Sequence, residues 1–303
     1  MTKTTRDYWH LHFIVLLWGF TAIFGVLISL PPVEMVFFRT LMAAGLLALL
    51  LIAMRKPFRI ASRRDLIQAL FIGFLIAVHW ILFFLAARLS NVSVCLAGMA
   101  TASLWTVFLE PFWTKERIKT LDILMGLLGF CGIILIFYGD FEYGLGLGVA
   151  VISAFLSGVF MVMNGSIAKR NDHFTITFWE MSAACLVILL FFPIYSRFVV
   201  GRPIDWLPQG LDWLYLFLIA GVCTVYAYSM SVELMRRMSA FVINLTVNLE
   251  PVYGMLLALL IFGADEAMSP RFYAGTLVIV LSVMIYPPIN RIRNRRRIKP
   301  NIS

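Results

Sequence analysis

Charged residues are scarce in this sequence. Only 14% of its 303 residues are Asp, Glu, Lys or Arg, whereas 61% are hydrophobic. A soluble protein carries about 25% charged and about 45–50% apolar residues. The shortage of charge excludes an ordinary soluble protein, because much of the surface must also be apolar. The composition indicates a chain whose surroundings are lipid.

Signatures of catalysis and metal binding are also missing. The sequence contains no H-E-x-x-H, G-x-S-x-G or P-loop lysine motif. Its four cysteines lie singly inside apolar runs, without C-x-x-C spacing. We interpret them as buried thiols and expect neither a metal nor a cofactor. The cysteines are Cys95, Cys131, Cys185 and Cys223.

Long apolar runs dominate what is present. Ten of them have about 20 residues, the length that a membrane-spanning helix needs. Continuous runs favour helices over the alternating strands of a membrane barrel. The sequence therefore predicts an all-α integral membrane protein with ten transmembrane helices. The runs cover about residues 10–30, 33–54, 66–87, 92–113, 120–138, 144–168, 174–199, 211–235, 240–263 and 270–287.

Basic residues are distributed unevenly between the two sides of these spans. Most of the 25 Lys and Arg residues fall on the side that carries both termini, and the other side carries only Arg88, Arg197, Arg202 and Arg271. The positive-inside rule then predicts a multi-pass protein of the inner (plasma) membrane with both termini cytoplasmic. We interpret the basic tail, residues 291–303, as a topology anchor near anionic lipid and expect no nucleic-acid binding.

The sequence also contains an internal repeat. A shift of 149 residues places Arg88 on Arg237 and Gly126 on Gly275. Each unit holds five spans, an odd number, so the second copy must insert upside down relative to the first. This predicts a first repeat over residues 1–142 and an inverted second repeat over residues 143–290. Inverted repeats are typical of alternating-access transporters, whose sites lie near the midplane.

Several motifs resemble those of the drug/metabolite transporter superfamily, and within it the EamA-like permeases. The likeness covers nearly the whole chain in two halves, but Ala102-Ser103 stand where the family usually has a proline. The motifs are Leu17-Trp18-Gly19-Phe20, Arg39, Lys115-Glu116-Arg117-Ile118 with Gly126, and Leu249-Glu250-Pro251-Val252 with Asp265-Glu266 and Gly275.

This resemblance implies ten helices with cytoplasmic termini. It also implies a cavity lined by the first four helices of each half, with the fifth helices at the periphery. The function that it implies is export or exchange of small organic metabolites in bacteria.

Ionisable residues deep in a bilayer are functional candidates, because each costs about 2.5–3.5 kcal/mol on insertion scales. The deep ones are Arg39, His79, Glu180 and Glu250. An offset near 141 residues places Arg39 on Glu180, so the two lie at repeat-related depths. They form either a static ion pair or a changing one, and Arg39 is also suited to holding a substrate carboxylate.

Glu250 lies near mid-depth beside Pro251, which should open the helix. At 100° per residue, Thr246, Glu250 and Tyr253 share one face, and Asn244 and Asn248 share the opposite one. One stripe should line a cavity and the other should bind neighbouring helices. Two interpretations of Glu250 stay open: a substrate or proton site, or a buried acid that supports the kink.

Three further residues are candidates for the site. Tyr226 begins a polar stripe with Ser229 and Glu233, His79 is a relay or a packing residue, and Trp18 lines a cavity or the core. Glu233 and Glu110 lie near basic span ends, so we interpret them as structural partners of Arg236, Arg237 or Lys115.

The sequence predicts a secondary transporter that exports or exchanges small amino-acid-like, amine or drug-like solutes by alternating access. Proton coupling is left open, as is a homodimer. The expected partners are a small solute and membrane lipid. An integral-membrane enzyme acting on a lipid-type substrate and a non-transporting structural protein are the alternatives. Scattered single polar groups favour transport over an enzyme, which usually needs clustered groups.

Overall fold

The computed structural model describes residues 3–115, 119–137, 143–201, 203–204, 207–263 and 269–298. Within these ranges the chain is helical and contains no strand. Some of the sequence features discussed above lie outside the described residues. They are Glu116-Arg117-Ile118, the end of the first predicted repeat at residue 142, Arg202, Asp265-Glu266 and the end of the basic tail from residue 299.

Thirteen helices make up the described part of the chain. Two of the spans contain wider, π-type turns, at Tyr195–Val200 after α8 and at Ile219–Tyr228 between α9 and α10. The helices are α1 Lys3–Leu27, α2 Pro32–Ala53, α3 Arg63–Leu89, α4 Val92–Met99, α5 Ala102–Thr114, α6 Thr120–Phe137, α7 Gly144–Ile167, α8 His173–Ile194, α9 Asp212–Leu218, α10 Ser229–Leu234, α11 Ala240–Val247, α12 Glu250–Phe262 and α13 Pro270–Ile298.

Eight of the resulting segments are long and apolar enough to cross a membrane. Two more apolar helices are shorter, Thr120–Gly132 and Pro270–Tyr286. These two coincide with the fifth span of each predicted repeat. The chain is therefore a multi-pass membrane protein, while the full count of ten spans stays a prediction.

Two spans are interrupted at matching places. The first breaks between α4 and α5 after eight residues, and the second breaks between α11 and α12 after eight residues. Pro251 is the second residue of α12, a position where a missing amide donor is tolerated. The helix thus opens next to Pro251, where the sequence places an opening.

No proline marks the first of these breaks. There the hydroxyl of Thr101 donates to the Gly98 carbonyl (2.8 Å), and that of Ser103 donates to the Ala100 carbonyl (3.3 Å). Such bonds from side chains to the preceding turn compete with the helical ladder and bend helices. Hydroxyl side chains therefore accompany this break in place of a proline.

Side-chain caps begin several helices. Ser62, Asn91, Asp172 and Ser239 each accept a hydrogen bond from a backbone N–H in the first turn of the following helix.

Burial alone would raise the pKa of Asp172, but the hydrogen bond from Lys56 and the nearby charges lower it overall. Asp172 is therefore an ionised cap in the loop before α8.

The helices pack so that the two halves of the chain interlock. Helix α3 lies along α7 and α8, α2 packs on α8, and α6 packs on α13. The interrupted spans cross each other, with α4 against α12 and α5 against α11. The backbones of α3 and α8 approach closely at Gly73, where an added Cβ would lie 2.4 Å from the Glu180 carbonyl oxygen. This contact fixes α8 against α3.

Candidate functional site

A cavity of about 70 Å³ lies where the two halves meet. It is bounded by α1, α2, α3, α4, α7, α11, α12 and the π-type segment before α10. Aromatic rings form much of its wall: Trp18, Trp80, Phe83, Phe160 and Tyr228. Its polar lining comes from Thr21, Arg39, His79, Ser157, Asn244 and Glu250.

Arg39 supplies the positive charge of this cavity. Its side chain is 2% exposed, and its Nε donates a hydrogen bond to Thr224 Oγ1 (3.0 Å). The guanidinium carbon lies 3.5 Å from the centroid of the Trp80 ring, within the range of a cation–π contact. Nη1 is buried without a hydrogen-bond partner. The guanidinium is thus held in place with donor capacity unused.

Glu250 supplies the negative charge. It is 8% exposed and stands as the first residue of α12, where the helix dipole favours a carboxylate. Among the described residues, no donor is within hydrogen-bonding distance of its carboxylate and no cation lies within 4.0 Å. Glu250 and Arg39 attract each other across the cavity. An acid and a base therefore share this cavity without a direct ion pair.

His79 is held by Ser153 on α7. Its Nδ1 lies 2.9 Å from the Ser153 carbonyl oxygen, and the Ser153 hydroxyl donates to the His79 carbonyl (2.8 Å). Nδ1 also lies 2.8 Å from the Ser153 hydroxyl, so the backbone and the side chain of Ser153 both hold the ring. The ring lines the cavity.

Glu180 lies behind the cavity wall. Its Oε2 accepts a hydrogen bond from the Tyr228 hydroxyl (3.0 Å), and Asn164 Nδ2 donates to that same hydroxyl (2.7 Å). Arg39 does not pair with Glu180 in the described chain; its polar contact is Thr224. The two residues at repeat-related depths therefore have separate surroundings.

Other residues singled out in the sequence have different positions. Trp18 lines the cavity while its Nε1 donates to the Cys223 carbonyl (3.0 Å). Thr246 donates to the Val242 carbonyl (2.9 Å), and Tyr253 packs against Gly19 of α1. Neither of the last two lies on the cavity wall. The break at residues 248–249 separates Thr246 from the face of Glu250.

Tyr226 also lies away from the cavity. It is 38% exposed, and its hydroxyl is 3.0 Å from Nε2 of His10. Tyr228, which the sequence pattern did not single out, lines the cavity instead. The cause is the π-type segment Ile219–Tyr228, which has more residues per turn than the α-helix assumed in reading the sequence.

Asparagine side chains join the two interrupted spans. Asn244 Nδ2 donates to Thr106 Oγ1 (2.8 Å), and Asn248 Nδ2 donates to Ser103 Oγ (2.8 Å). Asn248 therefore binds a neighbouring helix, while Asn244 does this and also reaches the cavity lining. The pairs connect α11 to α5 beside the cavity.

Glu110 extends this connection. Its carboxylate accepts hydrogen bonds from the backbone N–H groups of Ala240 and Phe241, both at 3.0 Å. It therefore caps the N-terminus of α11 from α5, a role that its sequence neighbour Lys115 did not suggest. Glu233, in contrast, pairs with Arg236 and Arg237, as the sequence predicts.

A second space of about 470 Å³ lies beyond this junction, and we call it the basic vestibule. Glu110 and Asp122 are among its lining residues. The hydrogen bonds between Arg170 and Asp65 raise the pKa of the Arg170 guanidinium, which stays charged. The vestibule lies on the side where the sequence places most of its bases. Its basic residues are Lys119, Lys169, Arg170, Arg236 and Arg237.

Polar contacts join the end of α1 to other helices on the opposite side. Asp212 accepts hydrogen bonds from the backbone N–H and the hydroxyl of Ser29. Arg88 Nη2 donates to the carbonyls of Ile28 and Leu30. These contacts hold α1 to α9 and α3 at the end away from the basic vestibule.

The chain is similar in sequence and in fold to known proteins. The EamA-like transporter family model matches residues 9–138 and again residues 144–286. A Bacillus subtilis (strain 168) protein named "Uncharacterized transporter YxxF" is 23% identical over 295 residues, which cover 95% of this chain and 90% of that protein. A solved crystal structure aligns with a TM-score of 0.72 at 17% identity, covering 96% of this chain and 99% of the other.

These comparisons differ in what they establish. The likeness to the solved structure shows the fold alone. The family match spans nearly the whole chain, and both the family and the B. subtilis relative are named for transport rather than catalysis. The chain therefore belongs to the EamA-like transporter family and is a membrane transporter of small solutes.

Proposed function

We propose that this protein is a secondary transporter that exports or exchanges small zwitterionic metabolites by alternating access. The observation that carries the proposal is that Arg39 and Glu250 line the same cavity without forming an ion pair. Arg39 Nη1 is buried without a hydrogen-bond partner, and no described residue donates a hydrogen bond to the Glu250 carboxylate. A solute with a carboxylate and an ammonium group would use both.

The roles of the two residues follow from their chemistry. The Arg39 guanidinium presents planar, paired donors that match a carboxylate. The Glu250 carboxylate accepts from an ammonium group. Buried polar groups left unpaired are costly, so a solute lacking either group should bind much more weakly.

The size of the cavity favours small metabolites over drug-sized solutes. Sites for drug-sized ligands are about 300–1,000 Å³, whereas this cavity is about 70 Å³. The rings of Trp18, Trp80 and Phe160 can contact a short apolar side chain. Amino-acid-like solutes therefore fit this cavity better than drug-like ones.

The inverted architecture is part of the proposal. Supporting it, the family model matches the chain twice, once in each half. The two interrupted spans also break after the same number of residues, since α4 and α11 each contain eight. Where the spans cross, α4 contacts α12 and α5 contacts α11. This is the contact pattern expected of two five-helix repeats, residues 1–142 and 143–290, related by an axis in the membrane plane.

The orientation is proposed on electrostatic grounds. The basic residues of the vestibule and those of the N-terminal segment lie on the same side of the predicted spans, the side that carries most Lys and Arg residues. The positive-inside rule then places the vestibule and both termini in the cytoplasm, with the protein in the plasma membrane. A reporter fused after Ser303 that reads periplasmic would overturn this orientation.

Counterflow in proteoliposomes tests the function. Vesicles loaded with unlabelled solute should accumulate the same labelled solute, without any ion gradient. We expect counterflow for amino acids, less for their decarboxylated or deaminated analogues, and none in empty vesicles. Absence of counterflow for every zwitterion tested would refute the proposal.

Two variants assign the site and a third controls for damage. Arg39→Gln should abolish the preference for solutes that carry a carboxylate. Glu250→Gln should abolish the preference for solutes that carry an ammonium group. Tyr226→Phe removes a hydroxyl outside the cavity and should transport as the parent does. Equal selectivity in all three variants would show that the solute binds elsewhere.

A further inference from the structure

Glu180 is a second deep acid, and the substrate site described above does not use it. Its side chain is 0% exposed, so it has no direct contact with the cavity. The ring of Tyr228 lines the cavity, and its hydroxyl donates to Glu180 Oε2. Tyr228 therefore stands between the solute cavity and this carboxyl group.

A count of hydrogens around Glu180 shows a deficit. The single hydroxyl proton of Tyr228 goes to Oε2, and Asn164 Nδ2 donates to the Tyr228 oxygen. Two buried acceptors remain without a hydrogen-bond partner, Oε1 of Glu180 and Oδ1 of Asn164. Buried acceptors without donors are rare and costly. A proton on the Glu180 carboxyl group adds one donor to this cluster.

The charges around Glu180 also favour the neutral acid. Within the described residues, no Lys, Arg or His lies within 4.0 Å of its carboxyl group. Helix α8 packs against α2 and α3, whose deep ionisable residues Arg39 and His79 line the cavity, as does Glu250 of α12. An unpaired carboxylate at this depth is costly. Glu250 has the Arg39 guanidinium across the cavity and the N-terminus of α12 to offset that cost, whereas Glu180, inside α8, has neither.

We propose that Glu180 is the proton-binding residue of this transporter, with Tyr228 and Asn164 as the positioning residues that hold its carboxyl group. This inference rests on the proposed transport function. In the described conformation Glu180 carries the proton. On release, one O–H bond of the carboxyl group breaks and the proton passes to a water molecule. The carboxylate that remains keeps the hydrogen bond from Tyr228.

A row of contacts links this proton site to the solute site. The Tyr228 ring meets the Trp80 ring edge-on at 6.3 Å between centroids, and Trp80 lies under the Arg39 guanidinium. When Glu180 loses its proton, the hydrogen bond from Tyr228 becomes charge-assisted and stronger. Movement of the Tyr228 ring would then act on Trp80 and Arg39. Proton and solute would thus occupy separate, touching sites.

Transport measurements in proteoliposomes test the proposal. Counterflow at equal pH needs no net proton movement, whereas accumulation driven by a pH gradient does. We expect Glu180→Gln to keep counterflow within about twofold and to lose gradient-driven accumulation by about tenfold or more. Tyr228→Phe should shift the pH profile of accumulation, and Tyr226→Phe, its matched control on the same segment, should not. Gradient-driven accumulation at the parental rate in Glu180→Gln would overturn the proposal.

Infrared spectroscopy of the purified protein gives a readout that does not depend on transport. The carbonyl stretch of a neutral carboxylic acid should be present in the parent and in Glu250→Gln, and absent in Glu180→Gln. Its presence in Glu180→Gln at parental intensity would overturn the proposal. If the parent shows no counterflow, the proposed transport function is refuted, while the infrared band still tests whether Glu180 is protonated. If the parent shows counterflow but does not respond to a pH gradient, only the proposal that Glu180 is the proton-binding residue is refuted.

Discussion

The guanidinium of Arg39 lies over the indole ring of Trp80, with 3.5 Å between Cζ and the ring centroid. The contact joins α2 to α3, and Nη1 of the guanidinium is left without a hydrogen-bond partner at the cavity. A cation–π contact of this kind contributes about 0.5–2 kcal/mol. It holds the one buried base of the solute site in a single orientation.

Removing this ring should weaken solute binding, because Arg39 then loses the ring over which its guanidinium lies. We expect Trp80→Leu to raise the half-saturating solute concentration in counterflow by about tenfold, the equivalent of about 1.4 kcal/mol. Trp9→Leu, which alters an exposed ring, should leave it unchanged. Parental half-saturation in Trp80→Leu would show that Arg39 does not need the ring for its orientation.

The charge on Glu180 should be dispensable for folding. The amide introduced by Glu180→Gln supplies a donor in place of the proton of the neutral acid, so the variant should melt near the parental temperature. Glu180→Leu leaves the buried Tyr228 hydroxyl without its acceptor, and should lower the free energy of unfolding by about 1–3 kcal/mol. Thermal unfolding in detergent distinguishes them. A lower melting temperature for the Gln variant would mean that the site holds a carboxylate.

The close approach at Gly73 should tolerate no side chain. Gly73→Ala places a methyl group 2.4 Å from the Glu180 carbonyl oxygen, so α3 and α8 must separate. We expect a loss of about 1–3 kcal/mol of stability. Gly45→Ala is the matched control, because no atom lies within 4 Å of its added Cβ, and alanine is a better helix former by about 0.8–1 kcal/mol. Equal melting temperatures for the two variants would contradict this packing.

The Lys56 and Asp172 pair should stabilise the protein in a defined pH range. The Asp172 pKa is lowered from its ordinary value of 3.8 in the folded protein. A carboxyl group of lowered pKa contributes its full stability above the unfolded value, and loses that contribution as the pH falls through the folded value. Asp172→Asn keeps a capping side chain but removes the charge.

The measurement for this pair is the difference in melting temperature between parent and Asp172→Asn. The parent should be more stable at neutral pH, and the difference should shrink as the pH falls below about 3.8. Lys56→Met should remove much of the same advantage. A difference that does not change with pH would assign the effect to capping alone.

The sequence alone was sufficient for the class of protein and for selecting three deep residues that share one cavity. Apolar run lengths depend only on local composition, so the helical spans followed from it, and eight of them have the length and apolar composition to cross a membrane. The depth of Arg39, His79 and Glu250 in the membrane also followed from the sequence, because each is an ionisable residue inside an apolar run. All three line the central cavity.

The tertiary structure decided which polar residues meet. Angular positions along a span assume one number of residues per turn, and the π-type segment before α10 rotates Tyr228 into the cavity in place of Tyr226. The interruption at residues 248–249 likewise separates Thr246 from Glu250, since the two lie on different helices. The contacts of Glu180 with Tyr228 and Asn164 join three spans, and no pattern within one span encodes such a meeting. It depends on how closely the helices pack, which at Gly73 is set by the absence of a side chain.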